Sequence, residues 1–178
     1  MLSQHVFKVI TGGDGGVGKT TLLHRYVEGK FLADTRMTVG VEFFRKSVSI
    51  GSDTSCQLLL WDFAGGDQFR FMIKNYVIGA VGALILIDLT RLMSLKNIST
   101  WIEMFRSENP NLPILLVGSK LDLEDQITVR DSDLLRIKEE YNLFDCIKTS
   151  SKTGYNVNEA FERITREILA FKDIDFCE

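Results

Sequence analysis

Three cysteines in 178 residues are too few and too scattered for a disulfide framework: Cys56, Cys146 and Cys177 share no paired spacing. They cannot all pair with one another, and they form no metal-ligand pattern with His5 or His24. Reduced thiols in a cytoplasmic protein are the expectation. No block of Lys and Arg occurs and the net charge is −3, so the basic footprint that a nucleic-acid partner requires is missing. No apolar run approaches membrane-spanning length, and Met1–His5 lacks the basic region and apolar stretch of a signal peptide. Leu2 stands where myristoylation needs glycine, and Glu178 alone follows Cys177 where a prenylation box needs three residues. Membrane association is therefore not evident from the chain itself. Repeats, low-complexity segments and interdomain linkers are absent as well, so residues 1–178 read as one domain, expected to act as a monomer.

What is present is an ordinary globular balance, 45% hydrophobic and 25% charged, with apolar runs alternating with amphipathic stretches. That alternation indicates βα units feeding a mostly parallel sheet. Strands are predicted over Val6–Thr11, Val41–Ile50, Gln57–Phe63, Ala83–Leu89, Ile114–Gly118 and Phe144–Thr149. Ala83–Ile87 in the fourth and Ile114–Val117 in the fifth are apolar throughout, as strands covered on both faces should be. Val41–Ile50 carries Arg45 and Lys46 and meets the next strand across the polar link Gly51–Ser55, which predicts an antiparallel edge hairpin. Helices are predicted over Thr20–Glu28, Ser94–Ser107, Asp131–Tyr141 and Asn156–Phe171. In the last of these, Asn156 and Glu159 are spaced as a capping box, and Val157, Phe161, Ile164 and Ile168 form the buried stripe.

Gly13-Asp14-Gly15-Gly16-Val17-Gly18-Lys19-Thr20 fits the phosphate-binding pattern of Gly, four residues, then Gly-Lys-Thr, leaving a strand and entering a helix. Glycines let backbone N–H groups turn inward around phosphates with no Cβ in the way, and the helix adds its positive N-terminus. Lys19 can reach the β- and γ-phosphates and the Thr20 hydroxyl can sit on Mg²⁺. This loop does not choose between ATP and GTP.

Four further boxes make that choice. Thr38-Val39-Gly40-Val41-Glu42-Phe43, Trp61-Asp62-Phe63-Ala64-Gly65, Ser119-Lys120-Leu121-Asp122 and Thr149-Ser150-Ser151-Lys152 follow the loop in order. With it they resemble a Ras-superfamily small GTPase of the Rab branch, from about Phe7 to Lys172. The resemblance implies a small G domain: a six-stranded, mostly parallel α/β sheet with one antiparallel edge strand and about five helices. It implies a switch that binds GTP and GDP with Mg²⁺ and hydrolyses GTP. Asp122 would read the N1–H and 2-amino group of guanine; adenine, with an acceptor at N1, would leave the carboxylate unpaired. Lys120 and Lys152 would lay their stems along the base, beside Phe31, Leu123, Ser150 and the Ser151 N–H. Gly15, Gly16, Val17, Gly18, Lys19, Thr20 and Thr21 would hold the phosphates. Thr20, Thr38 and Asp62 would hold the metal, with Lys19, Thr38 and Gly65 acting at the γ-phosphate. Phe43, Trp61 and Tyr76 match an aromatic triad that Rab proteins present to effectors. An exchange factor and an activating protein are implied at the same switches, as is peripheral membrane attachment through partners.

The pattern is broken in three places. Gly66 stands where the family usually has the Gln that orients the attacking water, and Gln68 is the nearest amide that can replace it. Intrinsic hydrolysis is expected to be slow and dependent on an activating partner, for which the small Gly15 and Gly16 leave room. Ser119 replaces the usual Asn, which should weaken base affinity by about 0.5–1.5 kcal/mol, one hydrogen bond, without changing base preference. The chain also stops soon after its last helix, without the tail and terminal cysteines of a lipidated Rab. The alternative function is a GTP-binding interaction module that hydrolyses negligibly. An ATP-using P-loop kinase lacks support, having no lid-like Arg cluster.

Overall fold

The computed structural model describes residues 3–33, 37–52 and 54–175. Six strands form one sheet in the order β2-β3-β1-β4-β5-β6. They are β1 (Ser3–Gly12), β2 (Val41–Ile50), β3 (Thr54–Phe63), β4 (Gly82–Asp88), β5 (Ile114–Ser119) and β6 (Asp145–Lys148). Every pairing is parallel except β2 with β3, which run antiparallel from Val41 opposite Phe63 to Ile50 opposite Thr54. The edge hairpin forms as expected, but β3 starts at Thr54, so the turn is shorter than the polar link suggests. All residues of β4 and β5 are buried, which accounts for the apolar runs Ala83–Ile87 and Ile114–Val117 within them.

Helices α1 (Lys19–Glu28), α2 (Arg70–Tyr76), α3 (Ile98–Phe105), α4 (Asp131–Glu140) and α5 (Val157–Phe171) flank the sheet. On one face α1 and α5 meet through Tyr26 stacked on Phe161 at 3.7 Å, over a core that includes Val9, Leu58, Leu84 and Leu115. On the other, α2, α3 and α4 cover Ile10, Ile85, Ile87 and Leu116. Each large apolar side chain so buried contributes about 1.5–3 kcal/mol.

Three expectations are corrected. The helix predicted over Ser94–Ser107 begins at Ile98; Leu92–Leu95 is a 3₁₀ turn instead. The reason lies at Ser94, which is buried and donates to the Arg91 carbonyl at 2.7 Å. The capping box at Asn156 and Glu159 does not form. Asn156 is left-handed (φ 56°) and spends its amide on the Lys148 carbonyl, while Glu159 pairs with Arg163 at 2.7 Å. Helix α2, preceded by the 3₁₀ turn Asp67–Phe69, has no counterpart among the predicted helices. No helix among the described residues is long and apolar enough to cross a membrane.

Candidate functional site

The loop between β1 and α1 wraps the C-terminal end of the sheet, where ligands bind in open α/β folds. Gly13 has φ +130°, and a Cβ there would strike the Leu86 carbonyl, so only glycine lets the chain turn against β4. Gly18, left-handed at φ 95°, starts α1, and no side chain caps that helix end, the condition under which a helix N-terminus takes an anion. A cleft of about 90 Å³ is lined by Gly15, Gly16, Gly18, Lys19, Thr20, Thr21, Met37, Thr38 and Gly65. Val17 turns away from it, fully buried in the core.

Lys19 is buried, and its ammonium donates to the carbonyls of Gly13 at 2.7 Å and Asp14 at 3.0 Å. Burial pushes its pKa down to about 8, against the opposing pull of Asp62 and Asp14. The Thr20 hydroxyl donates to Asp62 Oδ2 at 2.5 Å and lies 2.7 Å from the Thr38 hydroxyl. Asp62 is fully buried, and burial raises its pKa to about 6 despite the Thr20 hydrogen bond and the Lys19 charge. Its second oxygen, Oδ1, has no hydrogen-bond partner among the described residues. Buried carboxylates are normally paired or bound to a cation, so this oxygen fits a divalent metal.

Gly65 rests on the loop itself. A Cβ at this position would lie 2.5 Å from the Asp14 carbonyl carbon and 2.5 Å from the Gly15 nitrogen. The neighbouring Gly66 lies beneath the Gln68 amide, whose Oε1 would be 2.7 Å from a Cβ there. Gln68 thus occupies the space where a side chain at position 66 would begin.

The cleft opens into a second cavity of about 560 Å³, which shares Gly16, Gly18 and Thr21 with it and is further walled by Phe31, Leu32, Ala33, Ser119, Lys120, Asp122, Leu123, Ser151 and Lys152. Asp122 is held from behind by the Ser150 hydroxyl at 2.6 Å, so Ser150 supports the carboxylate and does not line the cavity. Lys120, left-handed at φ 64°, pairs with buried Asp88 at 2.7 Å. The Lys120 ammonium and the hydrogen bonds from Thr90 hold Asp88 below the usual carboxylate range, although burial opposes them. Asp88 is a positioning residue that sequence reasoning missed; only its place at the end of an otherwise apolar strand signals it.

Ser119 Oγ lies 2.6 Å from the Val17 carbonyl and 2.8 Å from the Ile87 carbonyl. One hydroxyl proton faces two acceptors, whereas an amide NH₂ brings a proton to each. Ser119→Asn is therefore expected to stabilise the chain by about 0.5–1.5 kcal/mol, read as a higher denaturant midpoint. An unchanged midpoint would mean that the single proton already suffices.

Phe43, Trp61 and Tyr76 form a row, with centroids 4.7 and 5.6 Å apart. Phe43 is 59% exposed, and the Lys8 ammonium lies 3.6 Å from the centroid of the Trp61 ring.

A mostly parallel sheet flanked on both faces, a phosphate loop on its first strand and the cavity of about 560 Å³ contiguous with it define a P-loop nucleotide-binding protein. The chain belongs to the Ras family of guanine-nucleotide-binding GTPases, whose family model matches residues 8–170. It is 38% identical to the Ras-related protein Rab-2B of Dictyostelium discoideum, over 93% of this chain and 82% of that one. Identity to human Ras-related protein Rab-4B is 37%, over 92% of this chain and 76% of the relative. To Ras-related protein RABA1c of Arabidopsis thaliana it is 35%, over 93% and 76%.

Proposed function

We propose that residues 1–178 form one G domain that binds GTP and GDP with Mg²⁺ and alternates between two switch conformations. The observation that carries this reading is the convergence of Thr20, Thr38 and the Asp62–Gly65 segment, three separate stretches of chain, at the phosphate cleft. Thr20, Thr38 and Asp62 would hold Mg²⁺, which would neutralise and bridge phosphate oxygens. Lys19 and the loop amides hold the β- and γ-phosphates, while Asp122 selects guanine in the adjoining cavity. Loss of the γ-phosphate removes what Thr38 and the Gly65 N–H bind, so both switches relax together. Effectors, exchange factors and activating proteins would read that change at the aromatic row of Phe43, Trp61 and Tyr76, where a partly exposed aromatic cluster suits a binding hot spot.

In hydrolysis, water adds to the γ-phosphorus as the bond to the β-phosphate oxygen breaks, giving GDP and inorganic phosphate. Gly66 offers that water no side chain, and Gln68 is the amide nearest to the gap. The intrinsic rate should therefore be low, with an activating protein supplying the missing groups. The test is single-turnover hydrolysis by Gly66→Gln and Gln68→Ala. Gly66→Gln must push the exposed Gln68 amide aside, which a flexible side chain permits. It should raise the rate about tenfold, roughly 1.4 kcal/mol of barrier, without changing GTP affinity. If Gly66→Gln changes nothing and Gln68→Ala abolishes turnover, Gln68 already positions the water and the low-rate reading fails. Gly66 also supports a second reading, a GTP-binding module whose state is set by exchange alone. Absence of turnover even with candidate activators would favour it.

A further inference from the structure

Asp14 is one of the four residues between Gly13 and Gly18, where phosphate binding uses the backbone and leaves the side chain free to vary. Here its carboxylate is four-fifths buried and gathers donors from two other elements. Asn97 Nδ2, just ahead of α3, donates to Oδ2 at 2.8 Å, and Trp101 Nε1, within α3, donates to Oδ1 at 3.0 Å. The third donor is Arg70, the first residue of α2, whose guanidinium lies 3.5 Å from Oδ1 and 5.6 Å from the centroid of the Trp101 ring. The indole comes this close because position 12 is glycine: a Cβ there would sit 2.6 Å from Trp101 Cε3 and 2.5 Å from Phe105 Cζ.

The two sides of Asp14 are held differently. Trp101 and Phe105 are 1% exposed and anchor α3 in the core. Helix α2 contributes one fully enclosed side chain, Ile73, and its first residue, Arg70, reaches across to Asp14. The stretch from Gly65 to Arg70 touches Asp14 at both ends, through the Gly65 backbone and through the Arg70 guanidinium.

We propose that Asp14, braced by Asn97 and Trp101, latches Arg70 and thereby positions Gly65 against the phosphate loop. Asp14 and Arg70 are positioning residues that act through Gly65; neither touches the nucleotide. The proposal rests on the switch reading above and adds a regulatory element to it. The GTP state, which needs Gly65 seated, requires the latch; the GDP state does not.

The experiment measures release of fluorescently labelled GDP and of a labelled β,γ-imido GTP analogue from the wild-type chain, Arg70→Gln and Arg70→Lys. Arg70→Gln should speed analogue release about fivefold or more, while GDP release stays within about twofold. Arg70→Lys, which keeps the charge and loses the planar fork, should fall between. A nucleotide-free measurement accompanies it. Trp61 and Trp101 are the chain's two tryptophans, so Trp61→Phe leaves Trp101 as the sole indole, and adding Arg70→Gln should shift its emission. Equal acceleration for both nucleotides, no acceleration for either, or an unmoved Trp101 emission would overturn the latch. A wild-type chain that binds neither nucleotide would overturn the switch reading, and the latch's role with it. Normal wild-type binding with unchanged selectivity in Arg70→Gln would overturn the latch alone.

Discussion

Replacing Asp122 with Asn is expected to lower GTP and GDP affinity by about two to four orders of magnitude and to move preference toward xanthine nucleotides. The surroundings fix the sense of the change. Ser150 donates to Asp122 Oδ1 at 2.6 Å, so in the variant the amide oxygen stays on that hydroxyl and the NH₂ turns into the cavity. There it meets the N1–H and 2-amino donors of guanine, donor against donor. Two charge-assisted hydrogen bonds are lost, at about 1.5–3 kcal/mol each, which corresponds to roughly 10²–10⁴ in affinity. Xanthine carries a carbonyl at position 2 and accepts from the new amide. Competition binding with GTP, XTP and ATP checks this; a variant that keeps its guanine preference removes Asp122 from the site.

The second large effect is expected at Gly65. A methyl group there would lie 2.5 Å from Asp14 carbonyl carbon and Gly15 nitrogen, both backbone atoms that cannot rotate away. Gly65→Ala should therefore hold the second switch off the loop and remove its N–H from the γ-phosphate. Single-turnover GTP hydrolysis should fall on the order of 10²-fold, the usual cost of losing one donor to a reacting oxyanion. GDP affinity should stay within about threefold, because the GDP state never uses that contact. Parallel GDP titration and hydrolysis assays make the comparison. Equal loss of both would show that Gly65 serves packing alone.

The elements that sequence located best are those with a regular pattern, alternating along the edge strand β2 and uniformly buried in β4 and β5. Val41–Ile50 matches β2 at both ends, and the apolar runs of β4 and β5 lie within a residue of their observed limits. Helix α2 could not be found this way, because it spans only seven residues and its inward face is just Ile73, Tyr76 and the following Val77. Phe71, an apolar residue of the same helix, is 75% exposed, so the helical period is too short and too interrupted to stand out in the sequence. At α3 the expected helix start failed, and at α5 the expected capping box, because Ser94, Asn156 and Glu159 use their side chains on partners outside the pattern. Short contiguous motifs were legible for the opposite reason: each brings its chemistry within a few residues. What joins those motifs was not. Asp14 meets Arg70, Asn97 and Trp101, Asp88 meets Lys120, and Gln68 folds back over Gly66. These pairings follow from chain topology, and no local spacing encodes them.

The close approach of α3 to Gly12 also constrains how this chain can change over time. With Trp101 and Phe105 in place, even the smallest substitution at position 12 forces a methyl carbon to within 2.5 Å of the Phe105 ring, an overpacked core that costs about 1–3 kcal/mol or more. A side chain becomes acceptable at position 12 only after both Phe105 and Trp101, whose Cε3 would lie 2.6 Å from its Cβ, have given way. Shrinking Phe105 alone opens a void instead, at about 3–5 kcal/mol for a change to Ala. Each single step is unfavourable, because the second aromatic still blocks the new methyl group. The three positions are thus epistatic: a lineage must cross less stable intermediates to exchange this solution for another.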